Sequence, residues 1–290
     1  MQTVNTVIQG VLLGGLFALF ASGLSLAFGV MRIVNVAHGD FIVLAGYLVL
    51  VSVNETHINP FLTLVIVTPA MFGLGYVLQR GVLQYTLQGG VLPPLLVTFG
   101  MSVVIQNGLQ QGFSADSQGF LAGGFATGSL TITHDIAVGW LPLTWFVVAI
   151  ALLIALNALF ENTALGRGFR AAADDQETVQ LMGIDHRHVY GMAFGIALAT
   201  TGVAAVFLGL YTSFTPASGP AQLLVAFEAV VIGGLGSLRG TLLGGIVLGV
   251  AFTLGEQIAP GWGTLSQHLV FLAVLAFRPT GLFSRQTREA

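Results

Sequence analysis

The sequence predicts an all-α integral membrane protein: a polytopic bundle of about eight to nine transmembrane helices, with the N-terminus outside and the C-terminus cytoplasmic. Three observations carry that expectation. Hydrophobic residues make up 55% of the chain and charged residues 7%, against roughly 25% charged in a typical soluble domain. The apolar residues gather into long runs, and mean hydropathy is +0.89. The nine basic residues are all arginine, and they fall between alternate runs.

Composition also sets limits on chemistry. The absence of cysteine excludes disulfides, thiolate metal sites and cysteine nucleophiles. There is no lysine and no GxxxxGK[ST], so this chain holds no phosphate loop of the Walker type. If ATP drives the protein, another chain hydrolyses it. No pattern suggests a metal or a cofactor, and a net charge of −3 gives no footprint for nucleic acid.

Taken in order, the first apolar run covers 4–30; it is too long for a signal-peptide core and has no basic residue ahead of it, so it reads as a retained span. Further runs cover 36–53, 61–78 and 92–110. Residues 111–136 are rich in Gly, Ser, Thr and Asp without a basic residue, which reads as an external loop. A fifth run covers 137–160 and a sixth 189–210, followed by an uncharged, Pro-bearing connection at 211–222. The last runs are 223–234, 241–258 and 265–277, and the second and seventh are short enough to be re-entrant. With nine crossings and the N-terminus outside, Arg32, Arg80, Arg167, Arg170, Arg187, Arg239, Arg278, Arg285 and Arg288 all fall on the cytoplasmic side, where basic residues of short loops stay.

Between the fifth and sixth runs lies 161–188, ENTALGRGFRAAADDQETVQLMGIDHRH, the one long charged segment. Phe169, Ala172, Ala173, Val179 and Met182 recur at spacings close to those of one helix face, with Arg170, Asp174, Asp175 and Glu177 between them. Gly183 stands where such a helix would stop. The segment reads either as a rigid soluble handle between spans or as an ordinary solvated loop helix. Elsewhere Gly10 and Gly14, Gly191 and Gly195, Gly240 and Gly244, and Gly245 and Gly249 form small-xxx-small pairs, which let helix backbones approach closely in lipid.

Polar residues inside apolar stretches need a reason. The densest cluster is Arg32, Asn35, His38 and Asp40, in GVMRIVNVAHGDF. If helical, it would align Arg32, Asn35 and His38 on one side. It reads as the lining of a translocation path or gate, or as an interfacial turn in headgroup water. Glu228, inside AFEAVVIGG, reads as a pathway residue or as a structural carboxylate partnered by a donor on another helix; His268 and Glu256 read as interfacial.

GVMRIVNVAHGDFIVLAGY, RGFRAAADDQETVQLMGID and FEAVVIGGLGSLRGTLLGG resemble, in order and spacing, three signature regions of the LivH-type permeases of branched-chain amino acid ABC importers, a wider family that includes urea and amide permeases. The resemblance covers nearly the whole chain and implies a single permease domain, 1–290, in a bacterial inner membrane. It implies as partners a second homologous permease (or a second copy of this chain), two ATPase subunits and a periplasmic substrate-binding protein, with lipid around the bundle. Residues 170–184 resemble the cytoplasmic loop that docks on the ATPase, which points to Arg170, Ala172, Ala173, Asp174, Gly183 and Ile184 as coupling residues. Ala171 stands where an acidic residue often opens that motif, and Arg239 where a small, apolar or Pro residue is usual.

Three function classes follow. The resemblance implies an importer permease with separate ATPases, carrying a small polar or amphipathic solute, a branched-chain amino acid first and a urea- or amide-type solute as the alternative. A secondary transporter or channel calls for several acids or broken helices at the midplane, and Glu228 alone qualifies in the sequence. An intramembrane serine protease could conscript Ser22 and His268, but nothing places a base beside that serine.

Overall fold

The computed structural model describes residues 2–90, 92–120, 128–133, 136–174, 183 and 185–283. Ten α-helices are described: α1 Gln2–Met31, α2 His38–Thr56, α3 Leu64–Gly81, α4 Leu92–Phe113, α5 Trp140–Asn162, α6 Ala164–Asp174, α7 His186–Tyr211, α8 Gly219–Gly233, α9 Leu238–Ile258 and α10 Gly263–Phe277. Eight segments are long and apolar enough to cross a membrane, and Gly263–Phe277 is a shorter apolar helix. The protein is therefore a polytopic all-α membrane protein; the shorter α10 runs from the far end of α9 back toward the arginine-bearing side, where the Leu282 amide donates to the Ile232 carbonyl.

Several boundaries differ from the sequence reading for local reasons. The second helix starts at His38 rather than 36, because Asn35 and the backbone of 33–37 leave helical geometry first. The seventh apolar run becomes α8, which starts at Gly219, behind a short 3-10 turn at Pro216–Ser218, where Thr215 and Ser218 form a reciprocal capping box. The loop at 111–136 is not wholly irregular. Strands β1 Ser129–Thr133 and β2 Ile136–Gly139 pair as an antiparallel hairpin, with Leu130 opposite Val138.

Helices α1 and α7 form the centre of the bundle. Antiparallel to α1 lies α9, and the glycine pairs meet there: a Cβ on Gly14 would stand 2.4 Å from the Ile246 Cα, and one on Gly249 would stand 2.3 Å from the Gly10 carbonyl oxygen. The other pairs serve equally close contacts. Gly195 packs on Phe72 of α3, and Gly240 and Gly244 on the Gly233 and Ala229 carbonyls of α8. Lipid tails are as apolar as leucine, so such interdigitation, rather than exclusion of water, holds the helices together.

The arginine-bearing helix ends meet on one side. Gly29 touches Gly236, the Tyr190 hydroxyl donates to the Ala172 carbonyl, Arg80 pairs with Asp185 at 3.5 Å, and the Leu282 amide donates to the Ile232 carbonyl. Facing away from the bundle, α3, α4, α5 and α10 present large apolar side chains such as Val65, Val104, Ile154 and Leu272.

Gly249→Leu should cost several kcal/mol, the upper end of an overpacked core at about 1–3 kcal/mol or more, because backbone is in its way. Gly100→Leu, with open space around it, should cost little. Thermal unfolding of the two variants in detergent checks the contrast.

Candidate functional site

Two interrupted helices bring polar groups into the bundle. After α1, Arg32 takes a left-handed backbone (φ 54°) while its amide still donates to the Phe28 carbonyl, and the chain turns back. Residues 33–37 then climb inside the protein until His38 Nε2 stands 2.8 Å from the Phe20 carbonyl oxygen, at the middle of α1. Phe20 is about 18 Å back along α1 from Arg32 at roughly 1.5 Å per residue. Backbone freed from a helix in hydrocarbon must find partners within the protein. Asn35 Oδ1 accepts from the Ala37 amide, Thr98 Oγ1 accepts from the Val36 amide, and the Asn35 carbonyl accepts from the His38 amide.

From the opposite side, the chain leaving α7 also turns inward. Phe214 exchanges two backbone hydrogen bonds with Gln118, its ring meets Tyr47 edge-on at 5.4 Å, and the 3-10 turn leads into α8. The N-terminal ends of α2 and α8 then touch. A Cβ on Gly39 would lie 1.9 Å from the Gly219 carbonyl oxygen, and one on Gly219 would lie 1.9 Å from Asp40 Oδ1. Asp40 Oδ1 accepts from Gln106 Nε2 at 2.9 Å, and Gln106 also donates to Ser102 Oγ. Asp40 Oδ2 is buried without a partner among the described residues.

Of the sequence-predicted cluster, Asn35, His38 and Asp40 are thus brought together, buried to about 1% exposure, while Arg32 is exposed at the end of the bundle. The helical alignment of Arg32 with Asn35 and His38 does not form, since 33–37 is not helical. Sequence reasoning missed Thr98, Ser102 and Gln106, a stripe at every fourth residue of α4. Their regular spacing in an otherwise apolar run was the available signal.

Glu228 lies nine residues along α8 from Gly219 and forms a separate site between α8 and α10. It accepts from Gln267 Nε2 at 2.9 Å and stands 2.5 Å from His268 Nδ1. The carboxylate is buried; the His268 side chain is 32% exposed. His268 is therefore a partner of Glu228 rather than merely interfacial. Glu256 accepts from the Gly261 and Gly263 amides, which ties the end of α9 to the start of α10.

The charged segment begins as the amphipathic helix α6. Gly166, Phe169 and Ala172 are buried against the bundle, with the Phe169 ring 5.4 Å from Phe160 and the Ala172 carbonyl accepting from Tyr190. The Arg170 guanidinium donates to the Phe160 carbonyl. Leu165, Arg167 and Asp174 face outward. Ala172, expected at a docking position, packs inward, and Ala173 is half-buried. Gly183 has a left-handed φ of 78°; Ile184 and residues 175–182, and with them the helix expected to end at Gly183, lie outside the described residues. The chain is fastened again as it enters α7. Arg80 pairs with Asp185 and donates to the Tyr76 hydroxyl, Tyr76 meets His188 Nδ1 at 2.9 Å, and Gln84 meets His186 at 3.2 Å.

Helix ends joined inside a membrane bundle, with an amphipathic helix fastened to neighbouring spans, are the kind of interrupted architecture on which transporters build their solute sites. The chain belongs to the family described as the branched-chain amino acid transport system permease component, whose model matches residues 6–277. It is 30% identical over 307 residues to the high-affinity branched-chain amino acid transport system permease protein BraD of Pseudomonas aeruginosa, covering 99% of this chain and 97% of that one. To LivH of Escherichia coli it is 27% identical over 304 residues, with the same coverage. The fructose import permease protein FrcC of Rhizobium meliloti is 28% identical over 223 residues, 70% of this chain and 60% of that one. No solved structure matches. As a member of this permease family, the chain is a transport subunit of the inner membrane.

His268→Ala should leave Glu228 Oε1 without its partner, with Gln267 still on Oε2, and cost about 1–3 kcal/mol, the usual penalty for an unsatisfied buried polar atom. Adding Glu228→Gln should recover part of that loss. Thermal unfolding of the single and double variants checks the coupling.

Proposed function

We propose that this chain is the membrane-spanning subunit of an ATP-binding-cassette importer, carrying a branched-chain amino acid inward while separate ATPase subunits supply the energy. Family membership is the observation that carries the reading. The relatives of near-complete coverage are named for branched-chain amino acids, and FrcC, named for fructose import, matches over a smaller share. The arginine-bearing end is the cytoplasmic one, with the N-terminus outside. A second homologous permease or a second copy completes the pathway, and a periplasmic binding protein delivers the solute.

On this reading α6 opens the cytoplasmic coupling loop at 161–188. The ATPase meets its outward face, at Arg167, Ala171 and Asp174, together with Ala173, Gly183 and Ile184. Ala172 and Arg170 act from within, holding α6 to α5 and α7 so that a push on the helix moves the spans. Asn35, His38 and Asp40, with Ser102 and Gln106, border the path at the junction of α2 and α8. Arg32 stands at its cytoplasmic mouth, and Glu228 lies on the same helix as Gly219. The secondary-transporter reading gains the broken helices it asked for, but the family does not favour it.

Reconstituted with its partner subunits, the protein should take up leucine only with ATP and binding protein present; uptake without either would refute the reading. Arg167→Glu combined with Asp174→Lys should reduce ATPase copurification and uptake about tenfold or more, the scale of losing about 1.4 kcal/mol of contact, without lowering the unfolding temperature. Glu228→Gln should impair uptake at unchanged expression, and normal uptake would assign that carboxylate to structure alone.

A further inference from the structure

A cavity of about 490 Å³ opens at the arginine-bearing end, between the C-terminal ends of α1 and α5, helix α6 and the turn from α8 to α9. That volume lies within the range of small-molecule sites, roughly 300–1,000 Å³. Three guanidinium groups line it, those of Arg32, Arg170 and Arg239, with the carboxylates of Glu161 and Asp174. Leu26, Phe28, Phe160 and Leu238 give it an apolar wall. Ser25 lines it too; this residue is fully buried, and its hydroxyl has no partner among the described residues.

Part of its charge has no ion partner among the described residues. Arg32 makes no ion pair among the described residues, and Arg239 meets Glu161 at 3.5 Å, with both side chains exposed. A guanidinium carries five N–H donors in a planar fork that matches a carboxylate. Arg170, tied to the Phe160 carbonyl through Nη1, keeps other donors. Cations, anions and a hydrocarbon wall in one cavity complement a molecule that carries a carboxylate, an ammonium group and an aliphatic side chain.

We propose that this cavity binds a zwitterionic aliphatic α-amino acid, its carboxylate on Arg32 and Arg239, its ammonium on Glu161, and its side chain against Leu26, Phe28 and Phe160. The proposal rests on the function given above for the identity of the solute and deepens it: the cavity is where the solute stands on the cytoplasmic side before leaving. Its occupant touches α6, so a released solute reaches the helix through which the ATPases act.

The chain contains no cysteine, so Asn157→Cys or Leu235→Cys each places a single thiol on the cavity wall, and Ala164→Cys places one on the exposed start of α6 as a control. Alkylation by N-ethylmaleimide is followed in the purified complex in detergent, without ATP. Saturating leucine should slow both cavity thiols about tenfold, the mass-action effect of a ligand at about ten times its Kd, and leave the control thiol unchanged. Leucinamide, 4-methylpentanoate and inorganic phosphate should protect poorly, and Arg32→Gln or Arg239→Gln should abolish protection by leucine. Absence of protection at both thiols would overturn the proposal. So would equal protection by phosphate or 4-methylpentanoate, which would make the cavity a bare anion or lipid-headgroup site. Uptake by the same complex in vesicles is read separately. ATP-driven uptake without protection removes the cavity alone, whereas protection without such uptake leaves the cavity and removes the importer.

Discussion

Close approach of one backbone to another, at glycine, is the contact on which the rest of this bundle depends. In hydrocarbon there is no hydrophobic force to press helices together, so packing and polar contacts must do it. Gly10, Gly14, Gly245 and Gly249 bring α1 and α9 into backbone contact along their length. The same device at Gly39 and Gly219 permits something less common, the meeting of two helix ends inside the protein. With a side chain at either position, α2 and α8 would be forced apart, and Asp40 would lose its place beside the start of α8.

That meeting has consequences for polar groups. Chain that leaves a helix within the membrane exposes amides and carbonyls that water cannot reach. Thr98 and Asn35 supply the missing backbone partners on one side, where the Phe20 carbonyl also meets the His38 ring, and Gln118 and Ser218 supply them on the other. The amides of Val36, Ala37 and His38 thus each have a named acceptor within the protein. Beneath it, α6 is not a loose tether. Phe169, Ala172 and Arg170 join it to α5 and α7, and Arg80, Tyr76 and Gln84 of the α3 end hold the start of α7. A force applied to the outward face of α6 therefore reaches several spans at once.

Much of this was legible in the sequence, and the part that was not has a physical cause. Apolar runs located the spans because a helix needs about 20 such residues to cross, and the small-xxx-small pairs named the glycines that pack. Asn35, His38 and Asp40 were legible as out of place in oil. Their arrangement was not, because the turn at Arg32 depends on a left-handed backbone that no residue type announces there. Partnerships across long separations were equally silent: Glu228 and His268 are forty residues apart, and Asp40 and Gln106 are sixty-six. In α6, periodicity gave the apolar face of Phe169 and Ala172, and that face is the buried one; a docking role for Ala172 came from the resemblance alone.

Copurification of the tagged chain from its native membranes tests the central claim most directly, with every accompanying protein identified. The account predicts two ATPase subunits and a homologous permease or a second copy, and it predicts that the ATPases are lost when the outward face of α6 is reversed in charge. A chain that came out alone and still moved leucine in liposomes without ATP would contradict it.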